Sequence, residues 1–166
     1  MAAASGLGLV ESAERDPERA SSAGTGELIA AAIEAGAGRV LVAAGGSATT
    51  DGGRGAIDAL EAAGGPGDAR LEVLCDTTVP FERAAEVFAP QKGASPEQVR
   101  RLTERLVALA GALPRDPRGR AMTGAAGGLS GASTTVRKPS CACSSTSPTS
   151  AESGAWTSSP TPPGAP

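Results

Sequence analysis

The feature that most constrains this chain is a strand, a glycine-rich loop, a helix and a second strand in direct succession. The run Arg39-Val-Leu-Val-Ala-Ala44 is short, apolar and β-branched, as a buried strand requires. Gly45-Gly-Ser-Ala-Thr-Thr-Asp-Gly-Gly53 follows, then a segment with Ala56, Ile57, Leu60 and Ala63 on one helical side, then Leu71-Glu-Val-Leu-Cys75. This is a βαβ unit, whose crossover is right-handed and whose strands are parallel. An apolar run Glu27–Ala35 precedes it and leads through Gly36 and Gly38 into the first strand, adding an α-to-β step. The fold class expected is therefore α/β, a parallel sheet with flanking helices and strands buried on both faces.

Further helices are signalled locally. Ser95 is placed to cap a helix running to about Gly111, with Pro96 in the first turn and Glu97 and Gln98 at the positive end of its dipole. Its apolar positions Val99, Leu102, Leu106, Leu109 and Leu113 recur every three or four residues, which leaves Arg100, Arg101, Glu104 and Arg105 for a solvated face. Thr25 is the expected cap of the first helix, with Glu27 near its dipole. Phe81 and Phe88 fit helical spacing and read as core, and Cys75 reads as a buried thiol.

Residues 133–166 hold nine Ser, six Thr and six Pro. Their only large apolar side chains are Val136 and Trp156, too little to offset ordering entropy, so a disordered tail is expected beyond an α/β region of residues 1–132.

Composition excludes several chemistries. The sequence contains no His, which removes His-based triads, His zinc sites and imidazole bases. Of three cysteines, Cys75 stands alone and Cys141 and Cys143 lie in the tail, so neither a Cys-x-x-Cys knuckle nor a disulfide framework is present. A net charge of −3 and the absence of Tyr argue against a nucleic-acid surface. No run approaches the roughly 18 apolar residues of a membrane span, and the opening segment lacks the pattern of a secretion signal, so no membrane partner and a cytoplasmic location are expected.

The loop Gly45–Gly53 sits where free backbone N–H groups and a helix dipole attract an anion. Gly45, Gly46, Gly52 and Gly53 permit close approach of a ligand, Ser47 and Thr49 offer hydroxyls, and Asp51 offers a carboxylate for a magnesium ion or for a proton from an attacking alcohol. The alternative is a tight connection in which Asp51 caps the following helix. The loop is neither a Walker loop nor a dinucleotide fingerprint. Lys92, in Pro90-Gln-Lys-Gly-Ala94, is the only lysine in residues 1–132 and suits neutralisation of a transferring phosphoryl group; a surface lysine in a turn is the alternative. Asp76 ends the second strand, at the carboxyl edge where ligands of parallel sheets gather, and is a candidate metal carboxylate; a turn-starting Asp before Pro80 is the alternative.

In order along the chain, Met1-Ala-Ala-Ala-Ser-Gly-Leu7, Ala23-Gly-Thr-Gly-Glu-Leu-Ile29, the Gly45–Gly53 loop, Cys75-Asp76, Val87-Phe-Ala-Pro-Gln-Lys-Gly-Ala94 and Gly124-Ala-Ala-Gly-Gly-Leu129 resemble the bacterial glycerate kinases that phosphorylate D-glycerate with ATP. Thr50 stands where that family carries Asn, and Gly64–Asp68 is shorter than the link of many members. The resemblance implies a two-domain α/β kinase with its site between domains, using ATP and Mg2+, of which this chain is an incomplete fragment. It further implies an internal Met at the start, a frame change near Ala132, little activity in the isolated chain, and self-association through exposed sheet edges. A non-catalytic module that binds a small anion is the competing reading.

Overall fold

The computed structural model describes residues 6–133; the expected tail from residue 134 on, with Cys141, Cys143 and Trp156, lies outside the described residues. Helix α1 (Ala23–Glu34) leads into strand β1 (Arg39–Ala44), helix α2 (Arg54–Ala62) and strand β2 (Arg70–Cys75). The two strands are parallel, in register from Arg39 opposite Arg70 to Ala44 opposite Cys75. Helices α3 (Ala84–Phe88) and α4 (Pro96–Ala112) follow, and the described chain closes with a short helix α5 (Leu129–Ala132).

Two apolar clusters hold these elements. In the first, α1 and α2 pack against one face of the sheet, bringing Ile29, Ala56 and Leu60 onto Val42, Ala44 and Val73, with Leu129 of α5 beside them. The second gathers Phe81, Ala84, Ala85 and Ala89 against Leu102, Leu106 and Ala110 of α4. Phe81 is wholly buried and Phe88 packs at the cluster's margin. Helix α4 starts as its sequence dictates: Ser95 Oγ accepts from Gln98 N and the Gln98 side chain accepts from Ser95 N, a complete capping box.

Three expectations are corrected. Among the described residues the sheet is covered on one face only, because α1 and α2 both lie on the Val42 side; on the other, Leu41 is 53% and Leu74 46% exposed. There Glu72, nearly inaccessible, is enclosed by Arg39 and Arg70 at 2.6 Å each, and the two guanidinium groups, led by the Arg39 hydrogen bond, hold its pKa below the usual carboxylate range. Thr25 does not cap α1: the helix begins at Ala23, with Ser22 at its cap position, and Thr25 is buried within its first turn. Cys75 is half-buried, because it lies at the open carboxyl end of β2.

Candidate functional site

The Gly45–Gly53 loop leaves the carboxyl end of β1 and divides into an outer and an inner half. Its outer half, Gly45, Gly46 and Ser47, lines a cleft of about 160 Å3 together with Asp76, Lys92 and Gly127. Gly45, Gly46 and Asp76 are exposed, whereas Ser47 and Lys92 are buried. The carboxyl end of β2 thus delivers Asp76 to the same cleft that β1 feeds, as the parallel pairing of Ala44 with Cys75 requires.

Lys92 comes from the single turn Pro90–Lys92 after α3 and is 2% exposed. Its ammonium donates to Ser47 Oγ at 3.2 Å and, in a short contact, to the Thr49 carbonyl. An ammonium has three protons, so one is left for a ligand. Burial pushes its pKa down from 10.5 to about 8, against the opposing field of Asp51, so the group is mostly charged at neutral pH.

The inner half of the loop turns into the protein. Gly52 and Gly53 adopt left-handed backbone, φ 66° and 76°, which steers the chain from the loop into α2. Both are buried, with the Gly52 N–H spent on the Gly127 carbonyl at 3.0 Å. Asp51 Oδ2 accepts from Ser22 N at 2.8 Å, Ser22 Oγ at 2.7 Å and Gly55 N at 3.2 Å, while Oδ1 accepts from Gly53 N at 3.1 Å. Ser22 Oγ in turn accepts from Ala56 N at 3.0 Å. The N–H groups at the start of α2, expected to be free for an anion, are therefore taken by Asp51 and Ser22. Of the two readings of Asp51, the geometry matches the capping one, since four donors already occupy its carboxylate.

Thr49 and Thr50 are fully buried, and each hydroxyl lacks a hydrogen-bond partner. Thr49 serves the site through its carbonyl rather than its hydroxyl. Arg105 is exposed, as expected of a solvated face, and from there it also donates to the carbonyls of Thr50 at 3.0 Å and Glu18 at 2.8 Å and so ties α4 to the loop. Arg100 and Arg101 do pair at the surface, with Glu97, Glu104 and Glu18.

Sequence reasoning missed Ser22, which lies 29 residues from its partner and carries no pattern of its own. It also missed the part played by Gly127. That residue, at φ 66°, packs so tightly on the Thr49 carbonyl that any side chain would overlap it. The paired glycines Gly127 and Gly128 within Gly124–Leu129 were the available signal in the sequence; the structure gives Ala126 and Gly127 left-handed backbone. Among the described residues no group of three or more Asp, Glu, His or Cys converges as a metal cage. Magnesium asks for less, since one or two carboxylates with water and phosphate oxygens suffice, and the exposed Asp76 fits that donor set.

Comparison with known proteins matches this architecture. The profile described as the glycerate kinase family fits residues 1–65 and 64–144. A glycerate kinase of Bacillus subtilis (strain 168) is 39% identical over 167 residues, covering 78% of this chain and 43% of the relative. A glycerate 2-kinase of Escherichia coli (strain K12) is 39% identical over 137 residues, covering 64% of this chain and 36% of the relative. The crystal structure of a putative glycerate kinase 2 from Salmonella typhimurium LT2 superposes with a TM-score of 0.75 at 37% identity, over 82% of this chain and 46% of that one. The chain thus spans less than half the length of these relatives. With the family profile matched along most of its length, the chain belongs to the glycerate kinase family.

Proposed function

We propose that this chain supplies the phosphate-handling side of a kinase that transfers the γ-phosphoryl group of ATP to a hydroxyl of D-glycerate, giving a phosphoglycerate. The observation that carries this reading is the buried Lys92 ammonium, fixed by Ser47 and the Thr49 carbonyl at the edge of a glycine-lined cleft with one proton uncommitted. In the transfer, a hydroxyl oxygen of the acid bonds to the γ-phosphorus, the bond to the β–γ bridging oxygen breaks, ADP departs and the hydroxyl proton passes to solvent. Such a reaction needs positioning and charge neutralisation rather than covalent help, which suits a chain without His.

In this assignment Gly45 and Gly46 let the phosphates approach the main chain, Ser47 and Lys92 meet phosphate oxygens, and Asp76 holds Mg2+, which neutralises phosphate charge when bound. Asp51 acts as a positioning residue: it fixes the loop to α1 and α2, and its negative field favours the charged form of Lys92. Gly52 and Gly53 shape the turn beneath the cleft. Thr49 positions Lys92.

No helix of the described residues is long and apolar enough to cross a membrane, and the cytoplasm is the location we propose for the reaction. The open sheet face around Leu41 and Leu74 is the surface through which we expect self-association.

Calorimetry with MgATP and with D-glycerate, beside a coupled assay for glycerate-dependent ADP release, tests the reading. The expected result is binding of both with turnover far below that of a full-length family member. Binding of neither overturns it.

A further inference from the structure

Lys92 lines two cavities. Besides the Asp76 cleft there is a second one, of about 290 Å3, whose wall includes Lys92, Arg15, Arg19, Glu14 and Asp16. Arg15 follows the short turn Ser12–Glu14. Its Nε is buried with no hydrogen-bond partner, and it forms no ion pair with any described residue. Arg39, Arg70, Arg100, Arg101 and Arg105 are engaged with carboxylates or carbonyls, and Arg19 is exposed to solvent, so Arg15 is the arginine of this wall whose N–H is buried and unanswered. A buried guanidinium N–H without an acceptor carries the full loss of its hydration, which an incoming anion restores.

The charge balance selects the anion. Three cations face two carboxylates, one net positive charge, which matches a monoanion better than a multiply charged phosphate. A guanidinium fork fits the planar carboxylate with two parallel hydrogen bonds. Apolar wall from Leu7, Val10 and Ala20 suits a short carbon chain, and Glu14 and Asp16 can accept from hydroxyls. We propose that this cavity is the acceptor subsite, holding the carboxylate of a small hydroxy acid on Arg15 with its hydroxyl end toward Lys92. The assignment rests on the kinase reading and refines it: one ammonium touches the acceptor on one side and the nucleotide phosphates on the other.

The test is titration of the full 166-residue chain with D-glycerate and, separately, with MgADP, for the wild type, Arg15→Gln and Arg15→Lys, with a thermal melt of each. Arg15→Gln should weaken D-glycerate by about tenfold to a hundredfold, the range of one lost charge-assisted hydrogen bond, and leave MgADP within about twofold. Arg15→Lys, charged but without the fork, should recover part of the loss, and glycerol should give no binding. Unchanged glycerate affinity in Arg15→Gln, equal binding of glycerol, or inorganic phosphate binding that Arg15→Gln weakens as much as it weakens glycerate overturns the subsite. Should Arg15→Gln lose its cooperative melt, Arg15→Lys decides: wild-type affinity overturns the proposal and a several-fold loss supports it. Arg15-dependent glycerate binding without MgADP binding would retain the subsite and remove the kinase reading; MgADP binding without glycerate binding does the reverse.

Discussion

The knot around Asp51 and the cleft around Lys92 lie on either side of one loop and treat charge in opposite ways. Behind the loop, the Asp51 carboxylate meets four donors from Ser22, Gly53 and Gly55, three of them on one oxygen. In front, Lys92 is buried with two acceptors for three protons, beside an exposed Asp76. A saturated group holds a fold together. A buried charge left short of partners weakens the fold, and its retention points to binding.

If that contrast is right, the two sides respond differently to substitution. Asp51→Ala leaves the Ser22 hydroxyl and three backbone N–H groups unpaired, and should cost about 3 kcal/mol or more in denaturant unfolding. Lys92 gives an effect of similar size through pH. Below about pH 8 both folded and unfolded states carry the charge, so the cost of burying it is present in full. Between pH 8 and 10.5 the folded state has released its proton and the unfolded state has not, so stability rises with pH, by up to roughly 3 kcal/mol across the window. Unfolding free energies of wild type and Lys92→Met, measured at pH 7 and pH 10, should show this rise in the wild type only.

Smaller effects sharpen the comparison. Ser22→Ala removes one bridge of the knot and should cost about 1 to 2 kcal/mol by thermal or chemical melt. Thr50→Val replaces a buried, unpaired hydroxyl by a methyl of similar shape and should stabilise by up to about 1 kcal/mol. Asp76→Asn, at an exposed position, should change stability by less than about 0.5 kcal/mol while weakening Mg2+-dependent nucleotide binding. A large stability loss in Asp76→Asn, or none in Asp51→Ala, would erase the distinction between the two sides.

What could be read from the sequence was local. The βαβ unit followed from apolar runs and a glycine loop, and α4 from Ser95, Pro96 and Gln98, because a strand, a turn and a capping box are each written within a few residues. The carboxyl ends of both strands converge on one cleft, a consequence of parallel pairing that needs no distant information. The rest depended on long-range packing. Nothing near Ser22 announces a partner at position 51, and nothing in the pattern of α4 separates Arg105, which reaches the loop carbonyls, from Arg100, which stays at the surface. The uncovered sheet face was missed for a related reason: Leu41 and Leu74 read as buried in any apolar strand, and only the placement of α1 and α2 on one side shows that they are not.

The central claim is that the Lys92 ammonium exists to meet phosphate. Titration of MgADP into the wild-type chain and into Lys92→Met at pH 7, with an unfolding curve on each sample, tests it most directly. The account predicts a cooperatively folded variant whose nucleotide affinity falls by about tenfold or more. A folded variant that binds MgADP as tightly as the wild type would contradict it.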